Sequence, residues 1–261
     1  MSAHAADAPQ ARMLTGLPAL LHQLFIPSAG ATTVPATMIA DPGWLREQVL
    51  LRGRSWPTTD RHVLATLWWF SASHHLVTPT VTTLLLTGTA ASPALPDLVL
   101  HHCSDGTITG AHSTAVLGTD LDTVAAGLRA ASELVIDIVS ELTSHGVRPL
   151  WALAADSLAD RLLLVGEATG RRAEARALAA RLSAGIGAPM LLPRFIDVMT
   201  VHGRSRCFVL RVSCCLLYRV PGQQLCTTCP RRSRADRLRL LATAAGPDQE
   251  PDSWGPDAFS I

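Results

Sequence analysis

Six cysteines occur in this 261-residue chain, and four of them, Cys214, Cys215, Cys226 and Cys229, fall within sixteen positions. The segment reads SCCLLYRVPGQQLCTTCPRR: an adjacent pair, ten intervening residues, then a C-x-x-C. Thiolates are ligands for soft metal centres, and four of them this close in sequence can converge on one small object if the chain between them reverses. Val220-Pro221-Gly222 supplies the reversal, because proline fixes φ and glycine accepts the positive φ of a tight turn. Three readings compete. An iron–sulfur cluster with two iron vertices does not require four thiolates to surround a single ion. A tetrahedral zinc ion would be favoured by paired C-x-x-C knuckles, but only one is present, and a vicinal cysteine pair is an awkward chelate for one tetrahedral centre. The third reading is that the thiols are simply buried or disulfide-linked.

The same residues carry a family resemblance. The Cys-Cys pair, the ten-residue spacer with Tyr218-Arg219 and Pro221-Gly222 inside it, the C-x-x-C and the following Pro230 resemble the C-terminal signature of the FhuF-type ferric-siderophore reductases. The specific part of the likeness spans residues 213–231; elsewhere the chain is similar only in length and in carrying its cysteines near the C-terminus. The resemblance implies a [2Fe-2S] cluster held by Cys214, Cys215, Cys226 and Cys229. It also implies one-electron reduction of iron(III) still bound to a siderophore, a hydroxamate for example, in the cytoplasm. No catalytic residue beyond the cluster ligands is then needed, since iron(II) binds hard oxygen cages far more weakly than iron(III). Arg219 is a candidate for tuning the cluster, because a nearby guanidinium favours the more negative reduced state. Tyr218, the sole tyrosine, either packs beneath the cluster or bonds a sulfur. Arg234, Arg237 and Arg239 read as a solvated basic face, and Cys103 and Cys207 as buried small hydrophobes.

Composition excludes several other chemistries. All 22 basic residues are arginine, and a Walker A loop requires a lysine, so standard P-loop nucleotide chemistry is out. No Rossmann glycine fingerprint or Ser/His/Asp constellation stands out, so electrons must come from an external donor such as a ferredoxin or flavoprotein. A net charge of +1 gives no reason to expect a nucleic-acid partner. The N-terminal residues lack the pattern of a secretory signal and no apolar run is long enough to span a bilayer, so a cytoplasmic location is expected. There thiols stay reduced, which favours metal binding over disulfides. Two other classes stand beside the reductase: a [2Fe-2S] electron carrier or redox sensor without a chelate pocket, and a zinc-stabilised binding module.

The elements that must position the cysteines read as a helix-dominated α+β single domain with small antiparallel hairpins and a C-terminal cysteine-rich cluster-binding module. Residues 1–13 read as a disordered start, 14–195 as a mainly helical substrate-binding part, 196–241 as the cluster-binding module and 242–261 as a flexible tail. Helices are expected from Pro42 to Leu51, from Thr58 to Leu76 and from Pro79 to Gly88. Another, capped by Thr119 or Asp120, has a stripe of Leu121, Val124, Leu128, Ala131, Val135, Ile138 and Leu142. Further helices open at Pro149 and Arg171, and a basic one runs from Arg231 to Leu241. One hairpin is expected around Ser104-Asp105-Gly106, and a second, Val198 to His202 with Cys207 to Val212, delivers Cys214. His74-His75 and His101-His102 read as surface or partly buried histidines, the tryptophans as core, and Asp156 and Asp160 as part of a solvated charged face.

Overall fold

Buried helical stripes organise the fold, which is a computed structural model describing residues 24–27, 30–143, 146–199 and 205–246 together with Leu21 and Gly203. Expectations for the first residues and for the C-terminal tail beyond 246 lie outside the described residues, as do residues 200–202 of the second expected hairpin. Helix α1 (Pro42–Leu51) is capped by Asp41, whose carboxylate accepts from the N–H groups of Gly43 and Trp44. Helix α2 (Arg61–Thr87) is capped in the same way by Asp60. It runs straight through Pro79, where the sequence predicts two helices. Proline removes one helical hydrogen bond and costs about 3 kcal/mol. Here the helix is buried on nearly all sides, so the packing of Leu76, Val77, Val81, Leu84 and Leu85 outweighs that cost.

Strand β1 (Thr32–Pro35), which the sequence does not announce, pairs antiparallel with β3 (Leu98–His102), and β3 pairs with β4 (Ile108–Ser113) across the expected Ser104-Asp105-Gly106 turn. Two short strands, β2 (Ala90–Ala91) and β5 (Val116–Gly118), form a second antiparallel pair. Helix α3 (Leu121–Leu142) is capped by Asp120 as expected, although its buried face shifts by one residue in its second half, to Ser132, Val135, Ile136 and Val139. Helix α4 (Val147–Ala168) starts two residues before Pro149 and buries Leu150, Leu153, Ala154, Leu158, Leu162 and Val165. Helix α5 (Arg172–Ile186) packs on α4 so closely that a Cβ at Gly166 would stand 2.5 Å from that of Ala175. The last pair, β6 (Phe195–Met199) and β7 (Ser205–Val209), lies nearer the N-terminus than predicted, and α6 (Arg234–Ala244) begins after Ser233, its N-cap.

The centre is the contact between α2 and α4, flanked by α3 and α5 on the helical side and by β2 and β4 elsewhere. Trp68, Trp69 and Trp151 are buried there, and Trp69 Nε1 donates to the Leu150 carbonyl at 2.8 Å. The architecture is α+β and helix-dominated, with the cysteines gathered at the C-terminal end. Among the described residues no helix is long and apolar enough to cross a membrane.

Candidate metal centre

After β7 the chain leaves regular structure and is held by three contacts to the helical core. On α4, Asp156 accepts from the Val212 N–H at 3.0 Å, the Ser213 N–H at 3.2 Å and the Ser213 hydroxyl at 2.7 Å. This grip lies on the residues immediately before Cys214. On α2, the ring of Phe70 lies 4.2 Å from the guanidinium carbon of Arg211. At the start of α2, Asp60 accepts from Arg219 Nη2 at 2.8 Å. Cys215 and Val220 are buried within the main hydrophobic core, so the cysteine loop is packed against it.

Within the loop, Val220-Pro221-Gly222 makes the predicted reversal. The N–H of Gln223 bonds the Val220 carbonyl at 3.1 Å and Gly222 adopts φ +81°, the arrangement of a turn with proline first and glycine second. Leu216 takes a positive φ of 65°, uncommon for a branched side chain, directly after the Cys214-Cys215 pair. A further turn, Cys229 N–H to Cys226 C=O at 3.1 Å, closes the C-x-x-C. Arg232 clamps that turn by donating to the carbonyls of Cys226 and Leu225.

These turns gather the sulfurs at one end of the loop. Sγ of Cys214 and Cys229 stand 3.9 Å apart. Cys215 and Cys226 share one donor, Nη1 of Arg211, at 3.6 Å from each sulfur. Two thiolates on one tetrahedral metal, with metal–sulfur bonds of about 2.3 Å, stand about 3.8 Å apart, so the first pair has the spacing of a shared ion. Among the described residues no three His, Cys, Asp or Glu side chains converge as a ready cage for a single ion. Cys215 and Cys229 are buried, while Cys214 and Cys226 are half-buried and form the more accessible edge.

Arg211 is the residue that sequence reading passes over. Its side chain is 5% exposed and its Nε lies 3.6 Å from Asp156. Burial works against its charge, yet the Cys215 and Cys226 thiolates together with Asp156 and Asp160 hold the guanidinium above the ordinary arginine value. Among the described residues, Nε and Nη2 have no hydrogen-bond acceptor. A buried cation with unused donors, bonded to two thiols, fits a neighbouring anionic group with further sulfur acceptors. The only signal in the sequence was an arginine three residues before a Cys-Cys pair. By contrast, Arg219 turns to Asp60, and Tyr218 lies under the Arg231 guanidinium at 5.0 Å from ring centre to charge.

Electrostatics around the loop follow from burial. Asp156 is 2% exposed and belongs to the site, which corrects its reading as part of a solvated face. Burial pushes its carboxyl up to about 6, although Arg211 and the Val212 and Ser213 donors oppose the rise. Burial pushes the Cys229 thiol up to about 12 and raises Cys226 as well, with Arg211 opposing in the latter case. His74 is also buried rather than superficial. Its Nδ1 bonds the Phe70 carbonyl at 2.7 Å and lies 3.1 Å from the Ser157 hydroxyl, linking the α2 and α4 faces beneath Arg211 and Asp156. His101 is likewise buried and meets His112 at 3.1 Å in the sheet. Cys207 is buried in β7, whereas Cys103 is half-buried at the β3–β4 turn.

Comparison with known families decides what this segment is. The model of the FhuF 2Fe-2S C-terminal domain matches residues 211–231. The chain carries a FhuF-type [2Fe-2S] C-terminal motif. The match begins on Arg211 and takes in all four clustered cysteines, so the FhuF-type segment and the docked loop are the same piece of structure. Its cofactor is a [2Fe-2S] cluster. A comparison with curated proteins finds no match to the chain.

Proposed function

We propose that Cys214, Cys215, Cys226 and Cys229 hold the [2Fe-2S] cluster and that the protein is a cytosolic ferric-siderophore reductase. The observation that carries this reading is the gathering of the four sulfurs within the FhuF-type segment, Cys215 and Cys226 on the buried Arg211 and Cys214 beside Cys229. Cys214 and Cys229, at the spacing of a shared tetrahedral ion, would hold one iron, leaving Cys215 and Cys226 to hold the other. When bound, the cluster supplies storage for one electron at a time.

The chain's own residues do the rest. Arg211 places a fixed positive charge against two thiolates, which stabilises added negative charge in a site from which water is largely excluded. Asp156 fixes Arg211 and the backbone ahead of Cys214, so that the charge does not reorganise. Half-buried Cys214 and Cys226 leave one edge open for electrons to pass to a chelate, a hydroxamate for example, seated against the helical part spanning 14–195. Tyr218, under the Arg231 guanidinium, and Arg219, paired with Asp60, lie nearer the surface. The reaction consumes one electron from an external carrier and one siderophore-bound iron(III), and yields iron(II) with the free siderophore. No proton donor or nucleophile is required, because the weaker hold of oxygen donors on iron(II) releases the metal.

Anaerobic purification followed by iron and acid-labile sulfide analysis, and EPR of dithionite-reduced protein, tests the centre. A ferrous-specific chelator added to reduced protein and a ferric hydroxamate tests the reaction. Reduced protein that delivers iron(II) stoichiometrically supports the reading. Stoichiometric zinc without labile sulfide would overturn the assignment of the centre, and a reducible cluster that releases no iron would leave an electron carrier or sensor instead.

A further inference from the structure

Residues 231–239, RRSRADRLR, hold five arginines and one aspartate, formally +4, so that the rest of a chain whose total is +1 carries −3. This charge is not spread along the molecule but laid beside the accessible edge of the cysteine loop. Arg232 is bonded to the carbonyls of Leu225 and Cys226, Arg237 to that of Cys229 at 3.4 Å, and Arg231 covers Tyr218. Arg234 and Arg239 project into solvent, as does Leu238 between them.

Arg232 and Arg237 hold the cysteine loop, but Arg234 and Arg239 add little to the fold. Positive side chains are disfavoured at a helix N-terminus by about 0.3–1 kcal/mol and favoured at the C-terminus. In helix α6 the arginines run against this, although Asp236 in its first turn complies: Arg234 opens it, Arg237 follows one turn later, and its last turn has no basic residue. Among the described residues Arg239 pairs with Asp236, at 3.8 Å between side chains that are both more than half exposed, a pair worth little. A charge concentration that opposes its own helix dipole needs another reason to be there.

We propose that the exposed face formed by Arg231, Arg234, Leu238 and Arg239 is the docking surface for an acidic one-electron carrier protein, which delivers its electron across the Cys214–Cys226 edge. The proposal rests on the reading that the four clustered cysteines hold a reducible centre. An apolar spot ringed by charge is the usual make-up of a transient protein interface. A convex helix flank about 1.5 Å per residue long suits a protein surface, whereas a small anionic chelate needs a concave site. Complementary charge acts mainly on the rate of encounter, by ten-fold or more at low salt, and the effect fades as salt screens it.

The test uses the full-length holoprotein and a reduced plant-type ferredoxin, an acidic carrier, with mixing followed by the cluster's own absorbance. The double variant Arg234→Glu/Arg239→Glu is compared with Arg234→Gln/Arg239→Gln. Expected results are a loss of about ten-fold or more in the second-order rate for the glutamate pair, a smaller loss for the glutamine pair, and a steep fall of the wild-type rate with ionic strength. Reduction by dithionite stays unchanged, and thermal stability is unchanged or slightly raised because the helix dipole now has acidic partners. Ferredoxin kinetics indifferent to both charge and salt would overturn the docking surface while leaving the cluster in place. A loss of ferric-chelate binding with an unchanged ferredoxin rate overturns it in favour of a chelate subsite. Absence of any dithionite-reducible chromophore removes the metal centre and the docking proposal together.

Discussion

Arg211→Met is the perturbation that probes the site most directly. Nη1 lies 3.6 Å from the sulfurs of Cys215 and Cys226. An electron on a metal held by those sulfurs sits one bond farther, roughly 6 Å from the positive charge. At an effective permittivity of about 20, unit charges at that range interact by about 2.8 kcal/mol, equivalent to about 120 mV for one electron. Asp156, 3.6 Å from the guanidinium, offsets part of this. Placed at roughly 9 Å from the electron it cancels about 1.8 kcal/mol. In the variant the stranded carboxylate, already held up to about 6 by burial, takes up a proton, so both charges leave the site. The midpoint potential is therefore expected to fall, by about 40 mV if the offset is complete and by about 120 mV if it is absent. An anaerobic mediator titration followed by absorbance and EPR reads the shift. Arg211→Lys keeps the charge but loses the Nη1 donor shared by the two sulfurs, so its potential falls less. Asp156→Asn removes only the opposing charge, so its potential rises. Breaking a buried ion pair costs about 3–5 kcal/mol of stability, and the opposite sign expected for Asp156→Asn keeps the reasoning testable if the methionine variant fails to hold its cluster. A potential for Arg211→Met that moves by less than about 20 mV, or moves upward, refutes the electrostatic role of Arg211.

Cys226→Ser is expected to abolish the visible spectrum and iron release, whereas Cys103→Ser, at the β3–β4 turn, leaves both intact; absorbance and metal content decide. Gly222→Ala forces a side chain into φ +81°, a cost of about 1–2 kcal/mol, and lowers the thermal midpoint by several degrees without altering the potential of the molecules that retain cluster. Burial holds His101 down to about 4 and depresses His74, His75, His102 and His112 too. Protonating these rings costs the folded state, so metal-free protein loses stability as the pH falls from 6.5 towards 4, at up to about 1.4 kcal/mol per pH unit for each ring. Asp156 acts in the other direction over the same range, since its raised carboxyl favours folding when protonated. Urea midpoints at pH 7 and 5 read the balance, and His101→Gln is expected to flatten the profile.

The sequence by itself determined the elements whose signals are local. Asp41-Pro42 announces one helix start and Thr119-Asp120 another, and the start expected at Thr58 falls within a turn of its cap Asp60, because a cap is a contact between residues two or three apart. Pro221-Gly222 announces the turn, and the cysteine spacing announces the FhuF-type motif, for the same reason. Tertiary structure decided everything that depends on what lies across the core. Pro79 reads as a helix start, yet packing on all sides of α2 carries the helix through it. Asp156 and Arg211 are 55 positions apart and look like ordinary surface charges, yet the fold buries them together against two sulfurs. Arg219, inside the motif, goes instead to Asp60 across 159 positions. A local pattern records which ligands a loop can offer; the charge that surrounds them is set by neighbours distant in the chain, because in a buried site electrostatics follow proximity in space rather than order in sequence.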